Sequence, residues 1–306
     1  MTGTVDLRPL VPAFIVAFTS LVVLLAQAFA GREKRPPSAA LSLMGLGGAL
    51  AAVWILARGP ARGAVLADAV TADGFSLYFQ ALLLGIAMVA VLLSPSYLRA
   101  QGLDRGEYYA LLLMSVVGML GLVSSIELVS LFVALEIMSV ALYAMAGLHR
   151  SRMVCQEAAL KYFVTGAFSS AFLLYGIALV YGVSGDTSLA RVALAMGSLS
   201  SETAGLAVLG AGMLLVGFGF KIASVPFHMW APDVYEGAPT TVTALMSAGV
   251  KAAAFGALLR VFGSALPDLA GDWKPLVAAL AAVTMVGGNL GALAQGNLKR
   301  MLAYSS

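Results

Sequence analysis

Long apolar runs with few charged residues dominate the hydrophobic pattern of this chain. An α-helix rises about 1.5 Å per residue and needs roughly 20 apolar residues to cross about 30 Å of hydrocarbon. Runs of this length lie at 9–30, 38–57, 74–93, 107–124, 127–148, 157–182, 204–236, 240–262 and 275–295. The pattern therefore predicts an all-α polytopic membrane protein with nine full transmembrane helices joined by short loops.

The seventh run, 204–236, is too long for one straight span and contains a proline. Pro226 has no amide hydrogen to donate, and its ring clashes with the carbonyl group of residue 222. The pattern predicts a broken seventh helix whose first half ends close to Lys221. Free carbonyl groups at such an end stabilise a nearby ammonium group, an arrangement that transporters use. The alternative is a simple proline kink in which Lys221 is paired structurally.

Composition agrees with a membrane protein and narrows its chemistry. The chain has 306 residues, of which 60% are hydrophobic and 11% charged, with a mean hydropathy of +0.94. Soluble domains carry about 25% charged residues, so soluble enzyme folds are excluded. The net charge of +3 is too small and too dispersed to indicate nucleic-acid binding. A single cysteine, Cys155, provides no internal disulfide, no zinc or iron–sulfur ligand set and no haem attachment motif. We expect no metal and no cofactor in this chain.

Charged residues at the ends of the spans indicate the orientation. Lys and Arg in short loops favour the cytoplasm. Odd-numbered loops hold nine of them and even-numbered loops hold five, so the odd loops are predicted to be cytoplasmic and the N-terminus periplasmic. Loop seven has neither residue and does not support this assignment. Asp233 and Glu236, also at a span end, are interpreted as solvated or capping residues.

Four ionisable side chains and one histidine are candidates for function, because charge inside a bilayer is costly. Glu136, Lys221 and Lys251 lie close to the midpoints of the fifth, seventh and eighth spans. Lys161 lies nearer the end of the sixth span, where a lysine usually reaches the interface. His228 follows the break and is a candidate proton relay, since histidine titrates near neutral pH; a structural hydrogen bond is the alternative.

Polar residues repeat at helical spacing around these candidates. The stripes are Glu136, Ser139 and Tyr143 in the fifth span, Glu157, Lys161, Thr165 and Ser169 in the sixth, and Thr243, Ser247 and Lys251 in the eighth. Side chains three or four residues apart share one face of a helix. Because polar faces avoid lipid, the stripes are predicted to converge on a hydrated interior, with Glu136 within ion-pair or single-water reach of Lys221.

These residues suit proton movement better than covalent catalysis. Burial favours the neutral form of a lysine, whereas a nearby carboxylate favours the charged form. Movement of Glu136 toward or away from Lys221 would therefore switch that lysine between holding and releasing a proton. Hydroxyl groups and water would connect the titrating sites.

Several segments resemble the antiporter-like membrane subunits of proton-pumping NADH:quinone oxidoreductase, complex I. The segments are 157–163, 166–176, 220–240, 249–255 and 297–306. Segment 249–255, with Lys251 at the centre of the eighth span, makes the N-subunit group the most similar. The resemblance spans essentially the whole chain and is most specific from about residue 120 onward.

The resemblance implies an antiporter-like fold with two inverted repeats, each carrying one broken helix. It divides the chain into three N-terminal helices at 1–106, the first repeat unit, helices four to eight, at 107–262, and the start of a second repeat at 263–306. The chain is then expected to be truncated at the start of a tenth helix. By the same resemblance, Glu136 and Lys221 are a regulating ion pair, Lys161 an intermediate site and Lys251 the central lysine.

The function that the resemblance implies is proton translocation in a bacterial respiratory complex I. NAD, FMN, iron–sulfur clusters and quinone would belong to other subunits. The expected partners are the other membrane subunits and the lipid bilayer of the bacterial inner (plasma) membrane, with no nucleic acid. The alternatives are a subunit of a multisubunit Na⁺/H⁺ antiporter and a structural assembly subunit whose charges only hold helices together.

Overall fold

The computed structural model describes residues 7–30, 36–59 and 69–306, and these residues are helical apart from turns and two isolated β-bridges. The helices before the break are α1 Val11–Ala30, α2 Ser38–Arg58, α3 Gly74–Ala100, α4 Gly106–Ser124, α5 Leu128–Ala146, α6 Met153–Ser184, α7 Leu189–Met196 and α8 Ser201–Ile222. The helices after it are α9 Ala231–Gly237, α10 Thr240–Leu245, α11 Lys251–Ser264, α12 Ala270–Leu293 and α13 Leu298–Ser305. A 3₁₀ turn, Arg8–Leu10, leads into α1.

Nine helical stretches within the described ranges are long and apolar enough to cross a membrane, which confirms the nine predicted spans. The eighth runs continuously through α10, a π-helical segment at Met246–Val250, and α11. The sixth is longer than predicted, because α6 begins at Met153, four residues before the predicted start, and ends at Ser184, two residues after the predicted end. The run of apolar residues alone did not define either end.

The predicted break in the seventh span is confirmed. Helix α8 ends at Ile222, one residue beyond Lys221, and the next residue, Ala223, has a left-handed backbone with φ of 57°. Its amide group bonds the carbonyl groups of Gly219 and Phe220, so the freed helix end is partly satisfied. An irregular turn through Pro226 then leads to α9.

Helix α7 was absent from the sequence prediction. It is a short amphipathic helix in loop six, and it buries Leu189, Val192 and Met196. Eight residues are too few to span a bilayer, so the search for long apolar runs passed over it.

Helix α4 lies at the centre of the bundle and buries most of its residues against α1, α3, α5 and α11. The approach of α5 depends on Gly118, where a Cβ atom would collide with the backbone of Ala134 and Met138. Small residues permit such close helix contacts in a membrane, where exclusion from water does not drive helices together. The packing of α4 against α5 positions Glu136 and Ser139.

Loops two, four and six meet at one end of the bundle, which we call the even-loop end. The amide group of Thr71 donates to Ser124 and that of Ile126 to Ala69, both at 2.9 Å. On the other side of the same segment, Leu128 donates to Thr187 at 2.9 Å and Leu189 to Ile126 at 3.0 Å. The segment 124–128 is therefore bonded to both neighbouring loops.

A bidentate ion pair fixes the far end of α11 to the start of α3. Both Arg260 terminal nitrogens lie 2.8 Å from the carboxylate oxygens of Asp73, and the guanidinium group lies 4.7 Å from the ring of Phe75. Burial alone would raise the pKa of Asp73, but hydrogen bonds from Arg260 and Ser76 lower that pKa to about 2. The pair therefore stays ionised at neutral pH.

Candidate functional site

Lys221 is fully enclosed at the end of α8, with 1% of the residue exposed. Its ammonium group donates to the hydroxyl oxygen of Ser139 on α5 at 2.8 Å. The rings of Tyr143, Tyr162 and Phe220 surround the ammonium nitrogen at 5.5, 5.7 and 5.6 Å. Ring faces attract a cation at such distances, so the site stabilises a charge without a direct carboxylate partner.

Glu136 lies on α5 beside this site, but no direct salt bridge with Lys221 exists among the described residues. Its carboxylate accepts a hydrogen bond from the Ser170 hydroxyl group at 2.5 Å. Glu136 lies three residues before Ser139, which accepts the hydrogen bond from Lys221. Each member of the expected pair is therefore held by its own serine, and the pairing of the two charges stays a prediction.

Two tyrosine hydroxyl groups next to Lys221 have no hydrogen-bond partner among the described residues. They belong to Tyr143 and Tyr162, whose rings meet edge to face at 4.7 Å. A Cβ atom at position 166 would collide with the Tyr143 hydroxyl group, so Gly166 provides the room for it. Buried hydroxyl groups usually bond water when no protein group is in reach, and they can pass a proton.

Lys251 occupies the first position of α11, directly after the π-helical segment, and only 7% of the residue is exposed. Its ammonium group donates to the Ser306 hydroxyl oxygen at 2.7 Å and lies 6.0 Å from the ring of Tyr235. The other hydroxyl groups of its stripe bond backbone instead: Thr243 donates to Tyr235 and Ser247 to Ala244, both at 3.0 Å.

A cavity of about 310 Å³ joins Lys251 to the turn of the broken helix. Polar groups from Ser224, His228, Lys251 and Thr284 line it among mainly apolar residues. The Nδ1 atom of His228 is buried without a hydrogen-bond partner in the described part of the chain. The structure thus places His228 and Lys251, two of the predicted site residues, on one internal space.

Lys161 lies apart from this cavity, at the opposite end of the bundle from the even loops. Its ammonium group contacts the Asp233 carboxylate at 2.6 Å and the Glu157 carboxylate at 2.7 Å. The second Asp233 oxygen contacts Arg300 at 2.6 Å, and Arg300 also contacts Glu236 at 2.9 Å. These five side chains are called the Asp233 network below.

The expectation that the whole α6 stripe faces the interior was wrong. Thr165 is exposed on the surface of the described chain, whereas Ser169 is buried. Steps of four residues overshoot a helical turn by about 40° each, so a four-residue stripe winds around the helix. Ser170, rather than a member of the stripe, contacts Glu136.

Two contributors to the site were missed by the sequence reasoning. Ser170 directly follows Ser169, and two consecutive serines in an apolar span were the feature of the sequence that could have indicated it. Asp233 was interpreted as a solvated or capping residue, although it lies three residues from Glu236 on α9 and contacts two cations. No cluster of three metal-binding side chains is found within the described ranges.

Comparison with known protein families gives a match over residues 125–306 to the family described as "NADH:quinone oxidoreductase/Mrp antiporter, TM". A similar relative is NADH-quinone oxidoreductase subunit N of Trichlorobacter lovleyi, 42% identical over 306 residues, which cover 99% of this chain and 62% of the relative. The chain thus spans about three-fifths of the length of this relative.

Two solved structures have the same fold. A chain in respiratory complex I from Thermus thermophilus with bound aureothin is 40% identical, with a TM-score of 0.78, over 96% of this chain and 61% of that one. A chain in the Mrp complex from Dietzia sp. DQ12-45-1b has a TM-score of 0.79 at 23% identity, over 98% of this chain and 56% of that one. The second likeness concerns the fold alone.

Proposed function

Because the chain belongs to the NADH:quinone oxidoreductase/Mrp antiporter membrane family, we propose that it moves protons as a membrane subunit of a bacterial complex I, in the manner of an N subunit. Oxidation of NADH and reduction of quinone would take place in partner subunits, which hold the NAD, FMN and iron–sulfur groups. In this proposal the odd-loop end faces the cytoplasm and the N-terminus lies outside the bacterial inner membrane.

The observation that supports this function best is the pair of buried lysines, Lys221 and Lys251, whose ammonium groups donate to hydroxyl oxygens. Among the described residues, no carboxylate lies within salt-bridge distance of either nitrogen. A lysine held by a hydroxyl group can lose its proton without leaving a partner carboxylate unpaired. An arginine could not release a proton at neutral pH, which explains why lysine suits these positions.

The proposed transfer begins at Lys221, whose charge responds to Glu136. When the Glu136 carboxylate approaches, the ammonium form is favoured; when it withdraws toward Ser170, burial favours release of the proton. The hydroxyl groups of Tyr143 and Tyr162 lie beside Lys221, and the cavity beyond the break leads to His228 and Lys251. Lys161, the fourth charged residue of the proposed site, lies at the edge of this path, and the next subsection describes the part that it takes.

Within this proposal, α4 to α11 form the first repeat unit, at 107–262, and α12 belongs to the second, at 263–306. Helix α12 buries none of its residues in the described structure and contacts mainly α8 and α13. Lys221 and its acceptor Ser139 then belong to the first unit, whereas Lys251 reaches from the first unit to Ser306 in the second.

Substitutions of Lys251 test the proposal in the assembled complex. Lys251→Met removes the titrating group at similar length, and Lys251→Arg keeps the charge but prevents its release near neutral pH. We expect both to lower the ratio of protons pumped to NADH oxidised, and to slow proton pumping about tenfold for each 1.4 kcal/mol added to the barrier of the transfer. Acidification of sealed vesicles, with complex assembly as the control, measures the ratio.

A wild-type ratio in the Lys251→Arg complex would remove Lys251 from the proton path. If Arg retains function and Met alone abolishes it, Lys251 is a structural cation. Normal pumping with both variants would support an assembly subunit. The similar fold in the Mrp complex favours an antiporter as the second candidate function, and sodium-dependent proton exchange in the absence of NADH would support it.

A further inference from the structure

Lys161 differs from the two enclosed lysines in both exposure and partners. Its side chain is 43% exposed, and its nitrogen contacts two carboxylates, one on its own helix and one on α9. If this nitrogen released its proton, two carboxylates would lose their cationic partner at once. The contacts of Lys161 therefore favour a permanently charged ammonium group.

Asp233 is the member of the Asp233 network that joins separate parts of the fold. One of its oxygens contacts Lys161 on α6, and the other contacts Arg300 on α13. Asp233 itself belongs to α9, the half of the broken span that follows the turn. The carboxylate thus fixes this half-helix relative to α6.

The same two helices also hold the aromatic group that faces Lys221. Tyr162, the neighbour of Lys161, stacks on Trp230 at the start of α9 with ring centres 4.8 Å apart. Trp230 stacks in turn on Phe220 at 5.0 Å, and its indole nitrogen donates to the Phe220 carbonyl group at 3.2 Å. A shift of α9 against α6 would therefore move the Tyr162 ring relative to Lys221.

We propose that Asp233 is a positioning residue that holds Lys161 as a fixed cation and thereby sets the place of Tyr162 and Trp230 beside Lys221. This inference rests on the proposed proton-moving function and specifies the part that Lys161 takes in it. Lys161 then contributes a constant charge and an ion pair between helices, and the proton moves through the enclosed lysines.

The experiment compares Lys161→Arg, Lys161→Gln, Asp233→Asn and the Lys161→Gln/Asp233→Asn double variant in the assembled complex. Arg keeps a cation in reach of Asp233, so its proton-to-NADH ratio should stay near wild type. Lys161→Gln and Asp233→Asn should each lower that ratio about fivefold, a coupling in the lower part of the range for contacting residues. The double variant should lose less than the product of the two single losses, because both single changes remove the same Lys161–Asp233 interaction.

Asp186→Asn is the matched control, since it removes an aspartate that contacts an arginine, Arg191, at 2.5 Å in loop six. Its ratio should be unchanged. The proposal is overturned if Lys161→Arg is as damaging as Lys161→Gln, because a proton carrier would then be required. It is also overturned if an assembled Asp233→Asn complex pumps like wild type.

If Asp233→Asn fails to assemble, the two Lys161 variants and Asp233→Glu test the proposal instead. Asp233→Glu keeps the charge, so its proton-to-NADH ratio should stay near wild type. A failure of the proposed function itself is recognised separately. In that case the wild-type complex moves no protons, or Lys251→Arg leaves the ratio unchanged, whatever the Lys161 variants do.

Discussion

The Ser139 hydroxyl oxygen accepts a hydrogen bond from Lys221, and the same hydroxyl group donates to the carbonyl group of Leu135. Its orientation is therefore fixed by the helix that carries it, with a lone pair directed at the ammonium group. In this arrangement the serine oxygen accepts a hydrogen bond from the ammonium group and itself stays neutral. The residue thus determines where the Lys221 nitrogen rests.

Replacing Ser139 with alanine should impair pumping more than folding. The change removes the acceptor of an enclosed ammonium group, and leaving a buried polar group unpaired costs about 1–3 kcal/mol. We expect a fall of about fivefold or more in vesicle acidification per NADH oxidised. Ser115→Ala is the control, because that buried hydroxyl group donates to Leu112 in its own helix at 2.6 Å. Equal losses in the two variants would show that the Ser139 effect is not specific to Lys221.

The residues at this site were only partly predictable. Glu136, Ser139 and Tyr143 share one face of α5 by simple spacing, and the structure places Ser139 and Tyr143 against Lys221. Ser170 was not predictable in the same way, because its contact with Glu136 depends on the rotation of α6 about its own axis. Periodicity defines which residues share a face, but it does not define which neighbour that face meets.

At the scale of helices, length and hydrophobicity predicted the spans and a proline predicted the break, because both are local properties. The short helix α7 and the π-helical segment before Lys251 were not predictable from apolar runs. Helix α7 lies within loop six and is held by three buried side chains, which a search for long apolar runs does not detect. The π-helical segment has hydrogen bonds from residue i to residue i+5 in place of i+4. The wider turn changes the direction of the side chains that follow it in the eighth span.

The contact between α4 and α5 should be sensitive to one added methyl group. Gly118→Ala would place a Cβ atom against the backbone of α5, which cannot move aside as a side chain can. We expect a loss of about 1–3 kcal/mol, the usual cost of overpacking, seen as a lower melting temperature of the purified protein in detergent. Gly85→Ala in α3 is the control, since nothing lies within 4 Å of its added Cβ atom. An unchanged melting temperature for Gly118→Ala would contradict the close contact.

At the scale of the whole molecule, the even-loop end is held by polar contacts between distant parts of the chain. Arg260 and Asp73 lie 187 positions apart in the sequence, and their pairing joins the eighth span to the start of the third. Such a contact follows from the arrangement of helices in space, which charge counts along the chain do not specify.

The Asp73–Arg260 pair should give the protein a pH-dependent stability. The pKa of Asp73 is lowered from 3.8 to about 2, so the ionised pair stabilises the folded state fully above about pH 5. That stabilisation is lost as the pH falls through about 4 toward 2. Asp73→Asn should therefore lower the melting temperature at pH 7, and the difference from wild type should shrink below pH 4. A difference that is constant down to pH 3 would contradict the ion-pair explanation.

The double-sided bonding of segment 124–128 makes the start of α5 a pivot. Glu136 lies eight residues beyond Leu128, about 12 Å along the helix axis at 1.5 Å per residue. With that end fixed, a tilt of α5 by about 5° displaces the Glu136 carboxylate by about 1 Å at this lever length. Residues farther along α5 travel in proportion to their distance from the pivot, so a small angular motion moves Glu136 relative to Ser170 and Lys221 while the even-loop end stays closed.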